Sequence, residues 1–322
     1  MRLVSFERSG AGGPGLGALV GDRVLDLDAA SAACNPGAGP DPRLRSVETL
    51  LAEREGALPL VRSALERAIR PGGAGDAATE RAWLDAASLR FLPPVGRPPT
   101  IRDFYAFEEH VRNARARRGL SVPPEWYEFP AFYFSNPGSV VGHLAPVRRP
   151  AWTRALDYEL EIACIIGARA RDVAEEDWES VVAGFTILND WSARDVQRKE
   201  MAIGLGPAKA KDFATSLGPV LVTLEEVTHR RQGDRFDLAM EARVNGVTLS
   251  RSNARDMHYS FGQMIARASQ EVYLLPGDVI GSGTAGGGCI LELGPEVHRW
   301  LEPGDEVILE IECLGILTNT IV

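Results

Sequence analysis

Carboxylates alternate with apolar residues in Asp157-Tyr158-Glu159-Leu160-Glu161-Ile162-Ala163-Cys164-Ile165-Ile166. In an extended strand Asp157, Glu159 and Glu161 share one face, and Tyr158, Leu160, Ile162 and Cys164 share the other. A solvated strand face explains this without chemistry, since half-buried strands turn polar residues outward. Glutamate is depleted in strands, however, and like charges at neighbouring same-face positions repel unless water or a cation separates them. Asp190 adds a carboxylate where the apolar stretch 184–189 ends and Trp191-Ser192-Ala193-Arg194-Asp195 begins. It is either a helix cap or partner of Arg194, or a buried charge in need of a counter-ion. Three or four carboxylates with neither His nor Cys among them select Mg²⁺, Mn²⁺ or Ca²⁺ over zinc or copper.

Lysine is confined to Lys199, Lys209 and Lys211, and arginine supplies every other basic side chain. A compact ammonium approaches a single oxygen well, so Lys211 beside a cation would neutralise a developing enolate. The plainer alternative is a solvated loop that gathers lysines. Among the histidines, His143, His229, His258 and His298 sit in turn-like or surface-like contexts, whereas His110 follows Asp103 by seven residues and precedes the basic run Arg112 to Arg118. Such a histidine is either structural or a general base, and the arginines are either a solvated helix face or a lid that draws in an anion.

Gly281-Ser282-Gly283-Thr284-Ala285-Gly286 satisfies the dinucleotide pattern G-x-G-x-x-G. Gly287-Gly288 then leads into the strand-like Cys289 to Leu293, and without a helix N-terminus a pyrophosphate has no seat. What remains is a glycine loop that lets backbone approach a small substrate closely. No G-x-S-x-G elbow accompanies it, which weighs against a serine hydrolase.

These side chains need a scaffold, and 322 residues suffice for one large core or for a main domain with a smaller neighbour. Hydrophobic residues at 45% and charged residues at 25% fit a folded globular chain. The formal net charge of -9 weighs against nucleic acid or an anionic membrane as the main partner. Cys34, Cys164, Cys289 and Cys313 contain no Cys-x-x-Cys pair, so neither a zinc cluster nor a disulfide framework is expected, and a reducing cytoplasm is the simpler location. Secretion and membrane spanning are not expected, since the N-terminus lacks an apolar signal core and no apolar run reaches about 18 residues.

Leu3 to Phe6 and then Leu19 to Leu27, folded back at Gly21-Asp22, read as a small β unit. After the Pro/Gly stretch Pro36 to Pro42, the spacing of Leu and Val from Leu44 to Ile69 predicts one or two helices, ended by Pro71-Gly72-Gly73. Pro93, Pro94, Pro98 and Pro99 cannot continue a helix or a central strand. A boundary there divides a small N-terminal α+β domain, 1–95, from a catalytic domain, 96–322. Strands are expected at 157–166, 183–190, 220–224, 238–244, 278–281 and 306–311, with turns at Pro276-Gly277-Asp278 and Pro303-Gly304-Asp305. Helices near 174–181 and 259–269 are too few for a doubly wound parallel sheet. The expected class is α+β and β-rich, a mixed roll or barrel with peripheral helices.

Together these segments resemble the fumarylacetoacetate hydrolase superfamily over about residues 100 to 322. Asn189-Asp190-Trp191-Ser192-Ala193-Arg194-Asp195 is the strongest single match, and the ending Gly315-Ile316-Leu317-Thr318-Asn319 is also similar. The resemblance implies Glu159, Glu161 and Asp190 as metal ligands, with Asp103 as a fourth. It implies His110 as general base oriented by Glu292, and Arg194, Gln197 and Lys211 as stabilisers of oxyanion and carbanion. Tyr105, Tyr133 and Thr284 would touch substrate. Met201 stands where fumarylacetoacetate hydrolase has a substrate-contacting tyrosine, and Ala214 where it has glycine, so the substrate is left open.

The implied activity is metal-dependent hydrolysis of a carbon–carbon bond in a 2,4-dioxo acid, an acylpyruvate or fumarylacetoacetate-like compound. The implied cofactor is a divalent cation, Mg²⁺ foremost, and the implied assembly a homodimer. Decarboxylation, isomerisation or hydration of a related oxo acid on the same enolate-stabilising site is the alternative within the family. Outside it stands a noncatalytic calcium-binding module, which needs no convergent base, lysine and arginine. Because His110 follows a proline-rich stretch and precedes arginines without apolar periodicity, it is expected on a mobile segment that reaches Glu292 only when substrate binds.

Overall fold

The computed structural model describes residues 1–8, 13–34, 39–69, 77–294 and 296–322. Its centre is a pair of strands, Leu160–Ile166 and Val182–Asp190, in which every residue is buried. Covered on both faces, they read as apolar runs rather than as alternating strands. They pair antiparallel, with Leu160 opposite Asn189 and Glu161 opposite Leu188. Outward from this pair the sheet continues on one side through Val279–Gly281, Ile101–Phe104 and Phe132–Ser135. On the other side it continues through Val220–Val222, Arg2–Phe6, Gly15–Val20, Arg23–Asp26 and Trp83–Asp85. The path is open, and no closed barrel forms among the described residues. A separate four-stranded sheet runs Val247–Asn253, Ala239–Val244, Glu306–Ile311, Gly315–Thr320.

The two faces of the central strands serve two cores. Ile162, Cys164 and Ile166 pack with Phe185, Trp178 and Phe261, while Ala163, Ile165 and Leu188 pack with Leu3, Leu25, Leu50 and Val61. N-terminal helices Val47–Ala52 and Arg54–Ile69 therefore cover one face of the sheet that carries the acidic residues. Sheet pairing runs without a break across the proline-rich stretch, because Arg2–Phe6 is bonded to Val220–Val222.

The hairpin forms at Gly21-Asp22, with Val20 opposite Arg23 and Gly21 at φ +59°. Pro71-Gly72-Gly73 and the first part of Pro36 to Pro42 lie outside the described residues. Tyr259 to Ser269 yields the helix Phe261–Ser269, started by a reciprocal cap between Ser260 and Gln263.

Two expectations are corrected. The strand foreseen over 157–166 is broken: Leu156–Asp157 pairs with Ser192–Ala193, and a new strand begins at Leu160. Glu159 lies in the break, where its amide donates to the Asn189 side chain at 2.9 Å. Cys289 to Leu293 is not a strand either, since Ile290–Leu293 is a helical turn. Its free amides at Ile290 and Leu291 donate to Asp157 at 2.8 and 3.0 Å, a contact between distant segments that sequence periodicity cannot register. Those amides are thereby taken, so the glycine loop still offers no pyrophosphate seat.

Candidate active site

A cavity of about 520 Å³ opens beside the central strands. Asp103, Tyr105, His110, Tyr133, Glu159, Glu161, Arg194, Gln197, Lys211 and Thr284 all line it. Asp190 and Glu292 stand directly behind the lining, each bonded to a residue in it.

Local backbone explains how the acids converge. Strand Ile101–Phe104 runs parallel to Val279–Gly281 with Asp103 opposite Gly281, and Gly281 is opposite Ala163, two residues from Glu161. A Cβ at position 281 would stand 2.6 Å from Asp103 Oδ1, so only glycine fits beside this carboxylate. The Gly283 amide donates to Asp103 Oδ1 at 3.1 Å, and the Tyr133 hydroxyl to Oδ2 at 2.8 Å.

Carboxylate oxygens of Asp103, Glu159 and Glu161 lie within 4.8 Å of one another. Lys211 Nζ joins Asp190 to this group, 2.5 Å from Glu159 Oε2 and 2.6 Å from Asp190 Oδ2. The Tyr133 hydroxyl also contacts Asp190 Oδ2. Neither oxygen of Glu161 nor Oδ1 of Asp190 has a hydrogen-bond partner, although all three are buried. Arg194 reaches Glu159 Oε1 with Nη2 at 2.8 Å, but its Nε is bound to Asp157 Oδ2 at 2.8 Å. The one ammonium thus bonds two of the four carboxylates, and the guanidinium that reaches Glu159 is shared with a fifth, Asp157.

Burial, followed by repulsion from Asp103, Glu159 and Asp190, pushes the Glu161 carboxyl well above its ordinary range. Burial likewise raises Asp190 to about 8, against the pull of Lys211. Glu159 goes the other way: burial opposes its ionisation, but Lys211 and Arg194 outweigh burial and hold it low. Buried, unpartnered, all-oxygen donors at this spacing fit a hard divalent cation, which removes the repulsion that protein groups leave in place.

Across the cavity, His110 Nδ1 and Glu292 Oε1 are 2.5 Å apart. The Gly287 amide and Asn113 side chain hold Glu292 Oε2 at 2.8 and 3.2 Å. Burial raises the Glu292 carboxyl, but His110 and these hydrogen bonds prevail and keep it below its ordinary value. Tyr105 meets the imidazole edge-on, with ring centroids 5.3 Å apart. The expected separation of His110 from Glu292 is therefore corrected. His110 is buried on the helix Glu108–Ala116, and Arg117 pins that helix to the carbonyls of Glu292 and Leu293 at 3.1 and 2.5 Å. Part of the basic run is thus a structural tie, although Arg115, Arg117 and Arg118 also line the cavity.

Sequence reasoning missed Asn113 and the linking part played by Asp157. The i, i+3 spacing of Asn113 from His110 was a usable signal, since such residues share a helix face. Nothing local marks Asp157 as the joint between Arg194 and the turn that bears Glu292. Gln197 accepts from Arg194 Nη1 at 3.0 Å, an i, i+3 contact on the helix Arg194–Ile203.

A sheet-rich α+β scaffold thus gathers clustered carboxylates, a buried lysine and a closed His–Glu pair around one cavity. The family model for the fumarylacetoacetate hydrolase C-terminal region matches residues 100–322, and the chain belongs to that family. It is similar to the mitochondrial oxaloacetate tautomerase FAHD2A of Bos taurus, at 32% identity over 100% of this chain and 92% of that protein. Among solved structures it resembles the maleylpyruvate hydrolase of Sphingobium sp. SYK-6 in complex with manganese(II) and pyruvate. The TM-score there is 0.71 at 27% identity, covering 100% of this chain and 99% of that one. The 5-carboxymethyl-2-hydroxymuconate delta-isomerase of Mycobacterium smegmatis shares the fold, with TM-score 0.67 and 24% identity over 100% and 99% of the two chains. No helix among the described residues is long and apolar enough to cross a membrane.

Proposed function

We propose that the protein is a metal-dependent hydrolase that breaks a carbon–carbon bond in a 2,4-dioxo acid of the acylpyruvate type. One observation carries the reading: His110, on the wall of the cavity that Lys211 and buried carboxylates also line, meets Glu292 behind it at 2.5 Å. Asp103, Glu159, Glu161 and Asp190 would hold the cation, Mg²⁺ in the first instance with Mn²⁺ or Ca²⁺ as alternatives. When bound, it supplies Lewis-acid polarisation of substrate oxygens.

Because Glu292 occupies Nδ1, the lone pair that faces the substrate belongs to His110 Nε2. Nε2 takes a proton from water as the water oxygen bonds to C4 of R–CO–CH₂–CO–COO⁻. The C3–C4 bond then breaks, its electron pair passes to C3 and the neighbouring carbonyl oxygen as an enolate, and the proton returns from Nε2 to C3. A carboxylic acid and pyruvate result. Lys211 donates two hydrogens to Glu159 and Asp190, which leaves a third for the developing oxyanion. Arg194 and Gln197 act on the same charge, and Tyr105, Tyr133 and Thr284 contact the substrate. A homodimer in a reducing compartment, the cytoplasm foremost, completes the reading.

The relatives named for oxaloacetate tautomerase favour a second reading on the same groups. There, Nε2 removes a proton from C3 of oxaloacetate, a proton reaches the carbonyl oxygen, and no carbon–carbon bond breaks.

The test is to supply acylpyruvates, a fumarylacetoacetate analogue and oxaloacetate with Mg²⁺ or Mn²⁺, following dicarbonyl absorbance and separating the products. Equal amounts of carboxylic acid and pyruvate support hydrolysis. Interconversion of oxaloacetate forms without acid release supports tautomerisation, and no turnover of any compound sinks both.

A further inference from the structure

We propose that His110, Cys289 and Glu292 form a second, softer metal site, which takes Zn²⁺ and silences the imidazole as a base. One ligand atom from each residue lies within 4.8 Å of the others, and all three side chains are buried. The donor set of nitrogen, sulfur and oxygen is one that zinc accepts, whereas Asp103, Glu159 and Glu161 offer oxygen alone. The two sites should therefore sort cations by softness.

One edge already has the length that a tetrahedral ion needs, and one is too short. Bond lengths of about 2.3 Å to sulfur and about 2.0 Å to nitrogen or oxygen give tetrahedral edges near 3.5 Å for S···O and about 3.3 Å for N···O. Cys289 Sγ already stands 3.5 Å from Glu292 Oε1. The 2.5 Å separation of His110 Nδ1 from Oε1 would have to widen by about 0.8 Å.

Burial pushes the Cys289 thiol well above its ordinary range, so by itself it is a poor nucleophile. A coordinated thiol is deprotonated outright, and that proton leaves to solvent. Coordination at Nδ1 needs the lone pair there, so the proton of the neutral imidazole must sit on Nε2. The nitrogen that faces the cavity becomes a donor and can no longer accept a proton. Zinc binding is independent of the reaction proposed above; only the inhibition rests on it.

The experiment uses the full chain saturated with Mg²⁺, titrated with Co²⁺ and then Zn²⁺. One cobalt per chain should give a thiolate-to-metal charge-transfer band, and zinc should displace it, with one proton released per zinc bound to Mg²⁺-saturated, cobalt-free protein. X-ray absorption of the zinc-loaded chain should find one sulfur neighbour. Cys289→Ser, with Cys289→Ala as a second variant should the first fail to fold, should lose the band. Each should weaken zinc at least as much as loss of an outer-shell partner does, roughly 10- to 100-fold. Turnover of the substrate found in the screen should fall as zinc fills the wild-type site, and be spared in the variants at the same zinc concentration. An all-oxygen and nitrogen shell, zinc that competes only with Mg²⁺, or an unchanged cobalt spectrum in Cys289→Ser would overturn the proposal.

Discussion

Asp157 Oδ2 accepts from Arg194 Nε at 2.8 Å, and both side chains are buried. The same carboxylate caps Ile290 and Leu291, so it ties the guanidinium beside Glu159 to the turn that carries Glu292. Asp157→Ala removes one partner of a buried ion pair together with a helix cap. It should destabilise the fold by about 3 to 5 kcal/mol in urea unfolding. A loss below about 1 kcal/mol would mean that the joint is not structural.

His110→Ala should reduce hydrolysis by roughly 10² to 10⁴, the usual contribution of a general base. Mg²⁺ binding measured by calorimetry should be unchanged, because His110 bonds to Glu292 and not to the clustered acids. Full activity in the metal-loaded variant would remove His110 from the reaction.

Lys211→Met should lower kcat far more than it alters KM, since the ammonium matters most when charge develops in the transition state. Without Mg²⁺ the variant should also have a lower Tm, because Glu159 and Asp190 lose their shared counter-ion, and Mg²⁺ should recover part of that loss. Steady-state kinetics and thermal melts with and without Mg²⁺ decide both points.

Glu161→Gln should weaken Mg²⁺ binding by about tenfold or more, since affinity at oxygen sites follows ligand charge. Metal-free protein should respond in the opposite sense and become more stable. The variant replaces a buried carboxylate without hydrogen-bond partners by a neutral amide whose hydrogens suit the acids around it. Tighter Mg²⁺ binding in the variant would dissociate Glu161 from the cation site.

Asp305 supplies a pH test remote from the cavity. Partial burial works against its charge, but hydrogen bonds from Arg299, Asn245 and the Glu302 amide hold the carboxyl down to about 2, from 3.8 ordinarily. A lowered folded pKa gives stability that is fully present above about 4 and lost as pH falls through about 2. The stability gap between wild type and Asp305→Asn should therefore narrow as pH drops below about 4, read by urea unfolding at successive pH values. A gap constant across that range would rule the linkage out.

By itself the sequence determined the chemistry of the donors and much of the scaffold. The types and spacing of Glu159, Glu161 and Asp190 pointed to a hard-cation site, Lys211 stood out because lysine occurs so rarely, and the patterns at 183–190 and 306–311 foretold one fully buried and one half-buried strand. These are local properties, carried by side-chain type and by periods of two or 3.6 residues. Only the tertiary structure decided which carboxylates bring oxygens within 4.8 Å of one another, that Lys211 bridges Glu159 and Asp190, and that His110 closes on Glu292 across 182 residues. It also decided where local pattern failed: Asp157 caps amides 133 and 134 residues away, turning an apparent strand at 289–293 into a helical turn. Pattern reading cannot see such contacts, because their energy comes from satisfying buried charges and amides across distant segments of the chain.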